Sequence, residues 1–152
     1  MKTPNPEFVR TLKTIVNTSP YPHHMHMSLA DIGYDTAVVS MALADCHLQP
    51  YGIVHGGVIA TLIDTATFWS GFLRLPEDAG LVNVDLKLNY LKSVAGGRLT
   101  AQGQCIRPGK TISYAEARVV NDDGDLIAHG TSSLMALPGK AMKVDIPKFL
   151  DE

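Results

Sequence analysis

The chain has 152 residues, 45% hydrophobic and 18% charged, with a formal net charge of -2. That length and composition suit one domain with a proper core. The charge balance excludes the concentrated positive field that a nucleic-acid or anionic-membrane partner requires. Cys46 and Cys105 form no C-x-x-C pair, which argues against a disulfide framework or a zinc site and for a reducing compartment. Met1 to Pro22 carries Glu7, Arg10 and Lys13 and no continuous apolar run, unlike a signal peptide. Asp64 interrupts the longest apolar tract, so no segment reads as membrane-spanning. The expectation is a soluble cytoplasmic protein.

In chain order, Asn5-Pro6-Glu7 reads as a helix start, and Phe8, Val9, Leu12, Ile15 and Val16 recur at helical spacing. Pro20 and Pro22 should end that helix. A strand is expected near Met25 to Ile32, a turn at Gly33 and a second strand over Thr36 to Ala44. Gly56 to Leu73 is long enough for four or five helical turns and apolar nearly all round, so it should be buried. Its β-branched residues weaken the helix assignment; its length and flanking turns restore it. Beyond Pro76–Gly80, Val82, Val84, Leu86, Leu88 and Tyr90 alternate with polar residues, as in one half-buried strand. Leu99–Ile106, Thr111–Val120 and Leu126–Ala136 complete a meander, and Pro138 onward reads as a loose tail. The plan is α+β: an antiparallel β-sheet wrapped around a long central α-helix. An N-terminal helical segment (1–22) precedes the main domain (23–137), and a C-terminal tail (138–152) follows it.

Asp64 is the only charged residue between His55 and Arg74. A buried, unpaired carboxylate is costly and is tolerated most often at functional sites; alternatively it faces a wet gap and bonds Thr61 or Thr67. The helix entry, Tyr51-Gly52-Ile53-Val54-His55-Gly56-Gly57, offers unpaired N–H groups at a positive dipole end, suited to an oxyanion or merely to a tight turn. Eight residues of helix place Asp64 about 12 Å beyond Gly56, too far to share one reacting carbonyl. A two-fold dimer would let Asp64 serve the helix entry of a second chain. His23, His24 and His26 have no ligand-spaced carboxylate or cysteine, so no metal site is expected. G-x-S-x-G and nucleotide-binding glycine loops are absent. Phe68, Trp69 and Phe72 read as core, with one of them free to face a substrate.

Gly52-Ile53-Val54-His55-Gly56-Gly57 followed by Leu62-Ile63-Asp64 resembles the signature of hotdog-fold thioesterases, in particular the phenylacetic-acid-degradation and 4-hydroxybenzoyl-CoA thioesterase group. Val84-Asp85-Leu86, Asn89-Tyr90-Leu91, Gly109-Lys110 and Asp123-Gly124 resemble later parts of that family, over roughly residues 35 to 136. The resemblance implies an acyl-CoA thioesterase with no cofactor, coenzyme A being part of the substrate, in a homodimer that assembles into a homotetramer. It implies that Asp64 is nucleophile or general base, that the Gly56 amide polarises the carbonyl, that Gln49 orients water or substrate, that His55 supports the loop and that Asn83 assists the water. Strand alternation puts Asn83 opposite Val82 and Val84, away from a core-facing site. Gly57, Tyr90, Lys92, Arg107, Gly109, Lys110 and Thr111 would bind coenzyme A. Phe68 stands where Glu-type members carry Thr, so this chain is similar to the Asp type, and Phe68 would touch the substrate. A hydratase or dehydratase on the same fold and a non-catalytic acyl-CoA-binding module remain as alternatives.

Overall fold

A computed structural model describes residues 1–150; Asp151 and Glu152, the end of the expected tail, lie outside the described residues. Helix α1 (Pro6–Thr18) starts where the Asn5 side chain accepts the Glu7 N–H at 3.0 Å, and it buries Phe8, Leu12 and Val16. Helix α1 ends at Thr18, just before Pro20 and Pro22 as expected, and those prolines fall in a second helix. Ser19 breaks α1, and Pro20 takes the first position of α2 (Pro20–His24), where its missing N–H leaves nothing unpaired. Strands β1 (Met27–Gly33) and β2 (Thr36–Ala42) form a hairpin.

Helix α3 (Gly56–Phe72) is the buried centre, with Leu62, Ile63 and Ala66 fully inaccessible. Its threonines bond back into the helix. The Thr61, Thr65 and Thr67 hydroxyls donate to the carbonyls of Gly57, Thr61 and Ile63. This satisfies each hydroxyl locally and permits a β-branched helix in an apolar setting. Among the described residues, no helix is long and apolar enough to cross a membrane.

Around α3 wraps one antiparallel sheet in the order β1-β2-β5-β6-β7-β3, with β4 also paired to β7. The later strands are β3 (Gly80–Asn83), β4 (Lys87–Tyr90), β5 (Arg98–Arg107), β6 (Ile112–Val120) and β7 (Leu126–Leu137). Only β5, β6 and β7 run as a meander. β3 and β4 lie along the far edge of β7, and β5 crosses over to pair with β2. Alternation identifies strands but not their neighbours. Gly103 of β5 lets the sheet close on α3, since a Cβ there would come within 2.2 Å of the Ala66 carbonyl oxygen.

The single strand expected from Val82 to Tyr90 is broken. Asn83 pairs with Leu134 and Lys87 with Thr131, so Val84, Asp85 and Leu86 stand opposite only Ser133 and Ser132. One extra residue exchanges the two faces of the strand. Asp85 pins the bulge: its carboxylate accepts the Ser133 N–H and its carbonyl accepts the Ser132 hydroxyl, each at 2.7 Å. As a result Leu81 and Leu88 pack on the core from opposite sequence parities, while Val82, Val84 and Leu86 are exposed.

The segment after Pro138 is not loose. Lys148 is buried, and its ammonium donates to the Phe72 and Leu75 carbonyls at 2.7 and 2.9 Å. These belong to the end of α3 and the turn beyond it, where carbonyls lack helical partners. Phe149 is buried beside it and bridges to Pro4, while Asn5 N–H donates to the Lys148 carbonyl.

Candidate active site

Asp64 sits in the middle of α3, half-buried, at the edge of a cavity of about 330 Å³. Its carboxylate makes no hydrogen bond or ion pair among the described residues. Thr61 and Thr67, the local partners that could have satisfied it, spend their hydroxyls on Gly57, Ile63 and the Asp64 backbone carbonyl. Burial therefore pushes the Asp64 carboxyl above the usual carboxylate range, with no cation to oppose it. The rest of the cavity wall is almost entirely apolar, including Ile15, Tyr21, Phe68, Trp69 and Met142. Phe68 does reach this space.

The entry to α3 is rigidly built. Gly52, at φ +80°, closes a turn in which its N–H donates to the Gln49 carbonyl, and the Gln49 side-chain oxygen accepts the Tyr51 N–H. His47 locks the loop beneath: its Nδ1 accepts the Ala44 N–H, its Nε2 faces the Met25 carbonyl at 2.9 Å, and its own carbonyl accepts the His55 N–H. His55 caps the helix, Nδ1 accepting the Gly57 N–H at 2.8 Å. The Gly57 amide is thus engaged, and the Gly56 N–H is left without an acceptor among the described residues. Gly56 also lies against Tyr90, whose hydroxyl donates to the Gly56 carbonyl at 3.0 Å; a Cβ on Gly56 would come within 2.8 Å of that hydroxyl. Gln49, Gly56, Tyr90 and Lys92 line one cavity of about 370 Å³, which shares no lining residue with the cavity at Asp64.

Residues 51–128, just over half of the chain and including both α3 and its entry, match the family model described as the Thioesterase superfamily. The chain belongs to the thioesterase superfamily. It is similar to acyl-coenzyme A thioesterase 13 of Mus musculus, 25% identical over 127 residues that cover 82% of this chain and 81% of the relative. Among solved structures, a thioesterase family protein from Silicibacter pomeroyi superposes with a TM-score of 0.77 at 26% identity, over 88% of this chain and 98% of that one. A thioesterase from Haemophilus influenzae superposes with a TM-score of 0.82 at 22% identity, over 95% of this chain and all of that one. The sheet wrapped on α3 is the hotdog fold, and the protein is a thioester hydrolase.

Other expected site residues of this thioesterase fall into place or apart. Asn83, expected on the outer face, points inward, because Val82 and Val84 are the residues that face out. Its amide donates to the Asp64 carbonyl, the Thr67 hydroxyl and the Ser132 hydroxyl at 3.3, 3.2 and 2.9 Å. It therefore braces the turn of α3 that carries Asp64. Lys92 pairs with Asp125 at 2.6 Å, and that pairing raises its pKa. Arg107, Gly109, Lys110 and Thr111 do not meet Tyr90 and Lys92 within one chain. Ile112 pairs with Met135 and Tyr90 with Ala128, seven residues apart on β7, or roughly 24 Å. Gly109 and Lys110 instead share a cavity with Arg74, Leu75 and Pro76 at the far end of α3, and the Gly109 N–H donates to Ser113.

Two features carry no signal in the sequence. Residues of α1 and α2 line the cavity at Asp64, which no local spacing signals. His26, Cys46 and His47 place potential ligand atoms within 4.8 Å of one another, but both ring nitrogens of His47 face backbone partners, so His47 offers no free donor.

Proposed function

We propose that this enzyme hydrolyses an acyl-CoA thioester in a site shared between two copies of the chain. One observation carries the reading. A carboxylate and a helix-entry amide, both without partners among the described residues, occupy the same helix about 12 Å apart and open into separate cavities. Neither is complete alone. Two α3 helices packed antiparallel about a two-fold axis would bring Asp64 of one copy to Gly56 of the other, twice over. The same axis brings the far end of one α3, with its Arg107–Thr111 turn, toward the other copy's Gly56, Tyr90 and Lys92. The phosphate-binding groups that one chain keeps apart then converge on one coenzyme A. Acyl-CoA as substrate class is supported by the likeness to acyl-coenzyme A thioesterase 13.

In this arrangement the Gly56 N–H donates to the thioester oxygen as it gains charge, aided by the positive end of α3. Asp64 acts on the carbonyl carbon, either by taking a proton from an attacking water or by attacking first and being released by water. The C–S bond breaks, coenzyme A leaves as the thiol, and the acyl group leaves as the acid. Gln49 lines the oxyanion cavity, and Asn83 holds the Asp64 turn. The imidazole of His55 is committed to its cap, which disfavours hydration chemistry that would need it as a base.

The test is thiol release from a panel of acyl-CoA esters, with Asp64→Asn and Gly56→Pro as inactive controls. Mixing the two variants should restore about a quarter of wild-type activity, because half of randomly assembled dimers are mixed and each regains one of its two sites. Mixed dimers without activity would sink the shared site, and full turnover by Asp64→Asn would sink its chemistry.

A further inference from the structure

The bulge at Val84–Leu86 touches more than β7. Asp85 is itself exposed, yet its carboxylate accepts the Ser133 N–H and its carbonyl accepts the hydroxyl of Ser132, which is fully buried. A hydroxyl has one proton to give. That of Ser132 goes to Asp85 at 2.7 Å, so only its lone pairs face Asn83 at 2.9 Å. The Thr67 hydroxyl, also fully buried, spends its proton on the Ile63 and Asp64 carbonyls at 2.8 and 3.0 Å. The Asn83 amide thus meets three acceptors: the Ser132 and Thr67 hydroxyls and the Asp64 carbonyl. It satisfies them only with its nitrogen turned inward; its oxygen in that place would face lone pairs. The orientation of the whole relay is therefore set at its outer end, by a backbone carbonyl that can only accept.

We propose that this bulge is a positioning device for the reaction: Asp85 and Ser132 hold the Asn83 amide, and through it the turn of α3, in the orientation that aims the Asp64 carboxylate. The inference rests on the thioesterase reading and adds two positioning residues, neither of which lines the cavity at Asp64. The contacts run from the outer edge of the sheet to the middle of the buried helix: Asp85 carbonyl, Ser132, Asn83, Asp64 carbonyl, at 2.7, 2.9 and 3.3 Å. They end on the residue that bears the carboxylate. That carboxylate has no hydrogen-bond partner of its own among the described residues, so its backbone is the part that can be held. A reacting group is effective only when its supporting contacts fix it to within a fraction of an ångström. The extra residue in the strand thus has a use beyond exchanging its faces: it frees a carbonyl to orient a buried network.

Asp85 is exposed, so its substitution spares the core. In steady-state thiol release from acyl-CoA, Asp85→Ala should lower kcat by about 10- to 100-fold, the cost of displacing a reacting group by about 1 Å, and leave KM unchanged. The acid limb of its pH–rate profile should move to lower pH, because a loosened turn admits water to a carboxyl whose pKa burial raises. Tyr21 is the only other titratable side chain among the residues lining that cavity, so the limb reports Asp64. Asp85→Asn removes the same charge but keeps an acceptor oxygen for Ser133, and it should return both kcat and the limb to near wild type. Ser132→Ala should reproduce the Asp85→Ala defect, and the double variant should be no worse than the worse single one, as for members of one network. Amide exchange gives a readout independent of turnover: Asp85→Ala should lose protection at Phe68, one helical turn after Asp64, and keep it at the entry of α3. A kcat and acid limb unmoved in Asp85→Ala, an Asp85→Asn variant equally impaired, or multiplying losses in the double variant overturns the proposal. If wild type releases thiol from no CoA ester, the chemistry proposed for Asp64 falls instead, and exchange then decides the relay: loss of protection at Phe68 supports it, and unchanged protection overturns it.

Discussion

Replacing Asp64 by Asn should make the protein more stable at neutral pH while removing its activity. The carboxylate is half-buried beside hydrocarbon, accepts no hydrogen bond and has no counter-charge among the described residues, and burial raises its pKa. A carboxyl whose folded pKa lies above its unfolded value of 3.8 binds its proton more tightly in the native state. Its contribution to stability is therefore present at acid pH and is lost as the pH rises through the folded pKa. At pH 7 the wild type carries a charge that has no counter-charge among the described residues and that Asn lacks, at similar volume. Because the group is only partly removed from water, the gain belongs in the lower part of the usual range, about 0.5–1 kcal/mol. For a chain of this size that is a rise of about 1–4 °C in Tm. Thermal melts of both proteins from pH 3 to 8 should show the curves converging on the acid side. Thiol release should fall by about 10²–10⁴-fold in kcat, the weight of a general base, and wild-type activity should decline in acid at a pH above the ordinary carboxylate range. A variant markedly less stable than wild type at pH 7 would mean that the carboxylate has a stabilising partner, and the reasoning would fail.

Gly56→Ala should lower kcat by forcing the new Cβ against the Tyr90 hydroxyl and the ring carbon that carries it, 2.8 and 2.9 Å away, and adding Tyr90→Ala should return part of the activity by removing both; the double variant in the same assay checks this. Lys148→Met should cost about 1.5–3 kcal/mol in urea unfolding, since two carbonyls lose a charged donor. Burial lowers the folded Lys148 pKa from 10.5 to about 8, so the unfolded chain binds more protons between those values, and wild-type stability relative to Lys148→Met should rise with pH across that window. Asn83→Ala should cost about 1–3 kcal/mol by stripping partners from Thr67 and Ser132, both fully buried; a pH–activity profile that also shifts would show that the bracing reaches Asp64.

Much of the candidate site was legible in the sequence because its signals are local. A lone acid in a run of apolar residues, and a glycine pair before a helix, are anomalies within a few positions of one another, and each announces an unpaired group. The buried helix followed from apolarity on every side, and β5, β6 and β7 from the turns that separate them. Asn83 could not be placed, because one residue inserted at Val84–Leu86 reverses which parity faces inward, and no alternation rule counts the partner strand. Tertiary structure alone decided three things. It bound the C-terminal segment to the end of α3 through Lys148, a residue whose sequence neighbours give no hint of burial. It put β3 and β4 beside β7 rather than β5, because strand neighbours are chosen by which edges remain unpaired. And it folded α1 and α2 over Asp64, turning a charge on a greasy helix into a carboxylate at the edge of an apolar cavity. The sequence determined which groups lack partners; only the packed chain decided what space each of them faces, because that depends on contacts between residues far apart along it.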